Sequence, residues 1–190
     1  HLLKLIQTVL DSARYERKVE PGDAALDLGA AAHEVRRMLQ DSIARQSVAL
    51  HVEVSPDCPT LRMDPLHLRQ VLLNLVGNAI KFSRPNGVVT VEAEMDMLGA
   101  VVLRVCDTGI GIPSESIGTL FQPFTQVDGA YAKKHEGVGL GLSICKSIVE
   151  AYGGTISLDS ALGIGTTVLV RGMDCVDGTP LIDLKPAPAH

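Results

Sequence analysis

Apolar and polar positions recur along the chain with two different periods, and each period predicts one kind of element. Spacings of three and four residues predict amphipathic helices over residues 2–17, 28–46, 65–83 and 139–153. Alternation of apolar and polar residues predicts strands over residues 48–54, 88–95, 101–106, 155–160 and 166–172. A short strand is predicted over residues 60–63, and a short helix after Pro113.

The order of these elements predicts an α+β fold. It is typical of a two-layer α/β sandwich, with the helices on one face of a mixed sheet. Pro21 and Gly22 interrupt the pattern, so residues 1–18 are predicted to be a separate helical segment. Residues 19–172 then form one domain. Residues 173–190, with three prolines among the last 11 residues, are predicted to be a linker or tail.

Composition narrows the possible functions. Aromatic residues make up 3% of the 190 residues and the net charge is −5, which argues against a nucleic-acid partner. No apolar run approaches the roughly 18 residues that a membrane span needs, so a membrane would be reached only through segments outside this chain. The four cysteines form no CxxC pair, which favours reduced thiols and a cytoplasmic location.

A polar stripe runs along the predicted helix at 65–83. His67, Gln70, Asn74, Asn78 and Lys81 follow one another at steps of three or four residues, so they share one face of the helix. An ordinary solvent-facing stripe is one interpretation. However, asparagine is a poor helix former, and two asparagines one turn apart favour a ligand site. An amide oxygen suits Mg²⁺ held together with substrate phosphates, and a lysine one turn further on suits phosphate.

Two glycine-rich stretches provide further candidates. In CDTGIGIP, Asp107 ends a strand and is followed by Gly109 and Gly111, which permit a close backbone approach to a flat ligand. The carboxylate is placed to accept a hydrogen bond from an exocyclic amine such as that of adenine. The alternative is a plain turn that Asp107 caps.

The second stretch, GVGLGL, leads into the last predicted helix. Gly137, Gly139 and Gly141 lie at its N-terminus, where free N–H groups and the helix dipole favour phosphate. Both familiar nucleotide-binding fingerprints, GxGxxG and GxxxxGK[ST], are absent. The polar stretch before the glycines, with Lys133 and Lys134, is typical of a lid.

In order and spacing, these stretches resemble the catalytic ATP-binding domain of sensor histidine kinases in the GHKL superfamily. LRQVLLNLVGNAIKFS is similar to the N box, DTGIGIP to the G1 box, FQPFTQVD to the F box and GVGLGLSICKSIVEAYGG to the G2 box. SALGIGTTVLV resembles the final glycine–threonine motif, and residues 2–17 resemble the end of the dimerisation helices. The fold that this resemblance implies is the Bergerat sandwich.

The resemblance implies a role for each candidate residue. Asn78 would bind Mg²⁺, Lys81 would contact phosphate and Asp107 would accept the adenine amine. Gly109 and Gly111 would border the base, and Thr166 or Thr167 would lie near it. Phe121 and Phe124 would anchor the lid. The phosphates of ATP would be held by a set of residues around the glycine loop: Lys133, Lys134, Gly137, Gly139, Gly141 and Leu142.

The residue type at position 74 distinguishes a kinase from a hydrolase in this superfamily. Hydrolytic members of the superfamily carry a glutamate at this position that activates water, and a neutral amide cannot act as a general base. We therefore count Asn74 among the catalytic positions and expect phosphoryl transfer with little hydrolysis. Glu136 and Val138 depart from the family pattern, so a nucleotide-binding regulatory module without kinase activity is the alternative, followed by a GHKL ATPase.

The expected phosphoacceptor is a histidine outside the chain. HEVRR at His33 follows the dimerisation-like segment instead of preceding it, and Met38 stands where the family has proline. His33 is therefore interpreted as a surface residue. The chain begins with His1 inside a helical pattern, which suggests a piece of a longer protein. The partners that the resemblance implies are ATP, the dimerisation and phosphoacceptor domain of a homodimeric kinase, and a response-regulator receiver domain of a two-component phosphorelay.

Overall fold

The computed structural model describes residues 25–126 and 138–173. The helix predicted at 2–17, the lid residues Lys133, Lys134, Glu136 and Gly137, and the tail lie outside the described residues. The helices are α1 (Leu28–Met38), α2 (Gln40–Gln46), α3 (Pro65–Phe82), α4 (Ser114–Ile117) and α5 (Gly141–Ala151). The strands are β1 (Ala25–Leu26), β2 (Ala49–Val54), β3 (Leu61–Arg62), β4 (Val88–Met95), β5 (Val101–Asp107), β6 (Thr155–Ala161) and β7 (Gly165–Arg171).

The helix predicted over residues 28–46 is in fact two helices. Leu39 leaves the helical conformation, with φ −95° and ψ 6°. It is both the C-cap of α1 and the N-cap of α2. The periodicity of the apolar residues continues across this break, so the pattern alone does not reveal it. The short strand β1, which the sequence did not predict, pairs with β3 in a separate two-stranded sheet.

Helix α3 begins as its sequence predicts. The side chain of Asp64 accepts a hydrogen bond from the backbone N–H of Leu66 at 2.7 Å, and Pro65 occupies the first turn, where no N–H is needed. The predicted apolar face of the helix is buried, and its members are Leu68, Val71, Leu72, Leu75, Val76, Ala79 and Ile80.

The main sheet is mixed and has the order β2-β4-β5-β7-β6. Strands β2 and β4 are parallel, and the other neighbouring pairs are antiparallel. In the central strand β5, Val101, Leu103 and Val105 are buried, and they belong to the same core as the apolar face of α3. The expected two-layer α/β sandwich with a mixed sheet is confirmed.

Helix α5 packs against α3 and β6. Gly153, predicted to end this helix, has φ +72° directly after the C-cap residue Tyr152. Within the described ranges, no helix combines the length and the apolar character that a membrane span requires.

Candidate nucleotide-binding site

A cleft of about 390 Å³ opens between α3 and the loops that follow β5 and precede α5. Its floor comes from the ends of β5 and β7. Of the site residues predicted from the sequence, eight line it: Asn78, Lys81, Asp107, Gly111, Gly139, Gly141, Leu142 and Thr166. Segments that are far apart in the sequence therefore contribute to one site.

Helix α3 supplies the polar side of the cleft. Asn78 and Lys81 are half-buried and line the cleft, whereas Leu75 and Ala79 on the same helix continue into the core. Burial lowers the pKa of Lys81 from its usual 10.5. The Nζ atom of Lys81 also lies 5.0 Å from the centroid of the Phe82 ring, a cation–π distance. The lysine is thus a partly desolvated cation, which strengthens its attraction for an anionic ligand.

Asp107 lies at the end of β5, opposite Thr166 of β7. Its Oδ1 accepts a hydrogen bond from the backbone N–H of Gly109 at 2.8 Å. Burial raises the pKa of this carboxyl above its usual 3.8, and the backbone N–H groups of Gly109 and Thr166 partly oppose that effect. A partly buried carboxylate is a strong acceptor for a donor group on a ligand.

Gly109 permits a close approach of two backbone segments. A methyl group at this position would collide with the carbonyl oxygen of Phe82. That same oxygen accepts a hydrogen bond from the N–H of Ile110 at 3.1 Å. The loop after Asp107 is therefore attached to the end of α3, which fixes Asp107 relative to Lys81.

Gly139 brings together the backbone segments on either side of residues 127–137. Its φ of +73° favours glycine, and an added methyl group would lie 2.6 Å from the carbonyl oxygen of Thr125. The backbone before residue 127 therefore packs against the backbone after residue 137. Gly141 faces the asparagines of α3, since a methyl group there would lie 3.8 Å from Nδ2 of Asn78.

Four further predicted residues that the structure describes do not line the cleft: Asn74, Phe121, Phe124 and Thr167. Asn74 points to α5, where its Nδ2 donates to the carbonyl oxygen of Gly141 at 3.4 Å. Thr167 donates from Oγ1 to Sγ of Cys106 at 3.5 Å, on the side of the sheet opposite Thr166. Phe121 is half-buried, and the side chain of Phe124 is 64% exposed.

The sequence patterns did not predict the apolar residues that line the cleft. Leu158 and Val168 are register partners on β6 and β7, and both line the cleft together with Ile110 and Leu162. Alternation within β6 and β7 identifies Leu158 and Val168 as helix-facing. It does not show that the cleft reaches them, because that depends on how α3 is placed over the sheet.

The cleft combines an apolar wall and a partly buried carboxylate with an amide, a cation and glycine backbone. The first set suits a purine and the second suits a polyphosphate. On a mixed sheet covered by helices on one face, this arrangement defines an ATP-binding domain of the GHKL class.

The chain belongs to the family of histidine kinase-, DNA gyrase B- and HSP90-like ATPases, whose model matches residues 63–172. An uncharacterised sensor-like histidine kinase of Rhizobium meliloti is 38% identical over 175 residues, which cover 90% of this chain and 32% of that protein. Within the family, the chain therefore contains a catalytic ATP-binding domain of the histidine kinase type.

Two solved structures support the same conclusion. The structure of full-length ShkA in complex with AMPPNP has a TM-score of 0.81 and 30% identity, covering 92% of this chain and 36% of ShkA. The nucleotide-free catalytic domain of histidine kinase ThkA has a TM-score of 0.68 and 28% identity, covering 80% of this chain and 97% of that domain. The chain thus spans about a third of the Rhizobium protein and of ShkA.

Proposed function

We propose that the chain is the part of a two-component sensor kinase that donates the γ-phosphate of Mg·ATP to a histidine. The observation that carries this proposal is that Asn78, Lys81 and Asp107 line one cleft, although β4 separates Asp107 from the other two along the sequence. In this proposal residues 19–172 are the ATP-binding domain, residues 1–18 end a dimerisation helix and residues 173–190 are a linker.

The adenine base binds at the Asp107 end of the cleft. Its exocyclic amine donates to the carboxylate, while Ile110, Leu158 and Val168 supply apolar contact with the ring. Thr166 borders the base, and Thr167 takes no direct part because its hydroxyl group bonds Cys106. Gly109 acts by keeping the Asp107 loop against α3, and Gly111 borders the ligand.

The residues present are suited to a magnesium ion that is held mainly by the nucleotide. Among residues 25–126 and 138–173, no group of three or more His, Cys, Asp or Glu side chains is arranged to hold a metal. Mg²⁺ bound with substrate phosphates needs only one or two protein oxygens, and the amide oxygen of Asn78 supplies one. When bound, the ion neutralises charge on the phosphates.

The phosphates extend from Asn78 towards the N-terminus of α5. Lys81 contributes its charge there, and Gly139 and Gly141 allow the backbone to approach, with Leu142 in the first turn of α5. Lys133, Lys134 and Gly137 complete this set in our proposal. Phe121 and Phe124 flank the same region, where the proposed lid begins.

Transfer to another protein group is favoured over hydrolysis. The amide of Asn74 is directed at the carbonyl oxygen of Gly141, and no amide can accept a proton from water. His33 is exposed on α1, a helix that contributes nothing to the cleft, so the acceptor is a histidine of the dimerisation region. A response-regulator receiver then takes the phosphoryl group, and the whole reaction is cytoplasmic.

The test is label transfer to a separate acceptor. The chain is incubated with γ-labelled ATP, Mg²⁺ and a histidine-bearing dimerisation segment of a related sensor kinase, and acid-labile label on that segment is expected. Asn78→Ala is the matched variant that should abolish it. Tight Mg·ATP binding without transfer would support a regulatory nucleotide-binding module instead. Steady phosphate release that depends on Asn78 would support an ATPase.

A further inference from the structure

We infer that Arg84 is a positioning residue for the purine end of the cleft, acting through the turn between β6 and β7. The inference rests on the proposed function, because it concerns how the same cleft holds the base. Arg84 does not itself line the cleft. It follows α3 closely in the sequence and is exposed.

Arg84 completes a ring of three hydrogen bonds. The carbonyl oxygen of Phe82 accepts from the N–H of Ile110 at 3.1 Å, and the carbonyl oxygen of Ile110 accepts from the N–H of Gly163 at 2.7 Å. Nη2 of Arg84 then donates to the carbonyl oxygen of Gly163 at 3.0 Å. The end of α3, the loop after Asp107 and the β6–β7 turn are thereby joined.

The turn is held by backbone hydrogen bonds, among them one from the N–H of Ile164 to the carbonyl oxygen of Ala161 at 3.0 Å. The side chains of Leu162 and Ile164 are 67% and 74% exposed, so the turn is held by hydrogen bonds and not by burial of its apolar residues. Ser160, on the strand side of the turn, accepts from the N–H of Ile112 at 2.9 Å. At the tip of the turn, the side chain of Arg84 donates a hydrogen bond to the carbonyl oxygen of Gly163. Within the described residues, Arg84 forms no ion pair with a carboxylate that would compete for its guanidinium group.

The turn matters because it forms part of the wall for the base. Leu162 and Ile110 line the cleft, and Leu162 lies against Gly111, since a methyl group there would be 2.9 Å from its Cα atom. Releasing the tip of the turn would let Leu162 move away from the ring of the base while leaving the phosphate side unchanged. Arg84 therefore contributes to binding of the base and not to phosphoryl transfer.

The experiment compares Arg84→Met with the wild-type 190-residue chain. Methionine keeps an unbranched apolar stem and removes the donor. Affinities for ATP and for adenosine are expected to fall by the same factor, roughly 3- to 10-fold, as for loss of one net hydrogen bond. The affinity for inorganic tripolyphosphate should stay unchanged. The control is Arg45→Met, an exposed arginine that donates to Ser42 away from the cleft.

A second measurement reports on the turn directly. Hydrogen exchange at the Gly163 amide should become faster in Arg84→Met, while amides in β5 keep their protection. Unchanged ATP affinity, an equal loss for tripolyphosphate, or unchanged exchange at Gly163 would each overturn the inference. If the wild-type chain binds no ATP, the proposed function fails as well. If the wild type binds ATP and the variant binds it equally, only the role of Arg84 fails.

Discussion

The hydroxyl oxygen of Tyr152 lies 2.8 Å from Nδ1 of His67, joining the end of α5 to the first turn of α3. The same oxygen accepts a hydrogen bond from the backbone N–H of Asp64 at 3.0 Å. Tyr152 has one proton to donate, and we assign it to the bond with Nδ1 of His67. That arrangement requires Nδ1 of His67 to be an acceptor, which holds only for the neutral ring.

This contact predicts a stability that depends on pH. Burial lowers the pKa of His67 from 6.5, although the nearby Asp64 carboxylate raises it in part. Below pH 6.5 the unfolded chain binds a proton that the folded chain resists, so the free energy of unfolding decreases as the pH falls through this value. Urea unfolding of wild type and His67→Gln between about pH 5 and pH 8 measures the effect.

His67→Gln should have the flatter profile, and His51→Gln serves as the control because His51 is exposed on β2. Identical pH profiles for wild type and His67→Gln would show that His67 and its contact with Tyr152 do not control the pH dependence of the free energy of unfolding.

Asn78→Ala tests the proposed magnesium ligand. Removing the amide should lower the affinity for ATP about tenfold or more in the presence of Mg²⁺, and much less in the presence of a chelator. Asn78→Asp is also expected to weaken Mg·ATP binding while leaving the fold intact. Calorimetric titration with and without Mg²⁺ separates the two contributions.

Gln70→Ala is the matched control for Asn78→Ala, since Gln70 lies on the same stripe of α3 but outside the cleft. Equal losses with and without the metal would remove Asn78 from the metal site.

Asp107→Asn separates recognition of the base from folding. The change should weaken ATP about tenfold or more, because the amine of adenine loses a charged acceptor, and it should weaken GTP less. Burial raises the pKa of Asp107, so the ionised carboxylate is held at a cost at neutral pH. Stability there should therefore stay equal or rise, since the asparagine oxygen still accepts from Gly109. Equal losses for ATP and GTP would contradict the adenine assignment.

Asn74→Ala is expected to act on stability instead of chemistry. The variant loses the link to the carbonyl oxygen of Gly141 and a hydrogen bond to the fully buried thiol of Cys145, whose pKa burial raises to about 12. The free energy of unfolding should fall by about 1–2 kcal/mol. Phosphate release from ATP should remain at background in both proteins. A large decrease of phosphate release in the variant would show that Asn74 does promote hydrolysis.

Much of the site could be predicted because local sequence patterns determine it. The stripe on α3 follows from helical spacing alone, and Asp107 stands at the end of an unmistakable strand. The stripe nevertheless divides in the structure: Asn78 and Lys81 face the cleft, while His67 and Asn74 face α5. The division depends on where α5 packs, and nothing in the sequence of α3 specifies that position.

Thr166 and Thr167 show a second limit of prediction from the sequence. Alternation in a strand places only one of two neighbours on the ligand side. The pairing of Asp107 with Thr166 decides which one, and register between distant strands is a tertiary property. The contribution of Arg84 could not be predicted either, because its partner Gly163 is almost half the chain away in sequence.

The parallel pairing of β2 with β4 has a consequence for folding. Ala49 lies opposite Val88 although the whole of α3 lies between them in the sequence, so α3 is the crossover connection of this pair. Closing such a distant pair loses chain entropy before any contact compensates for it. Helix α3 must therefore be in place when β2 pairs with β4, and a chain arrested before that step would lack the edge strand β2 of the main sheet and the α3 side of the cleft.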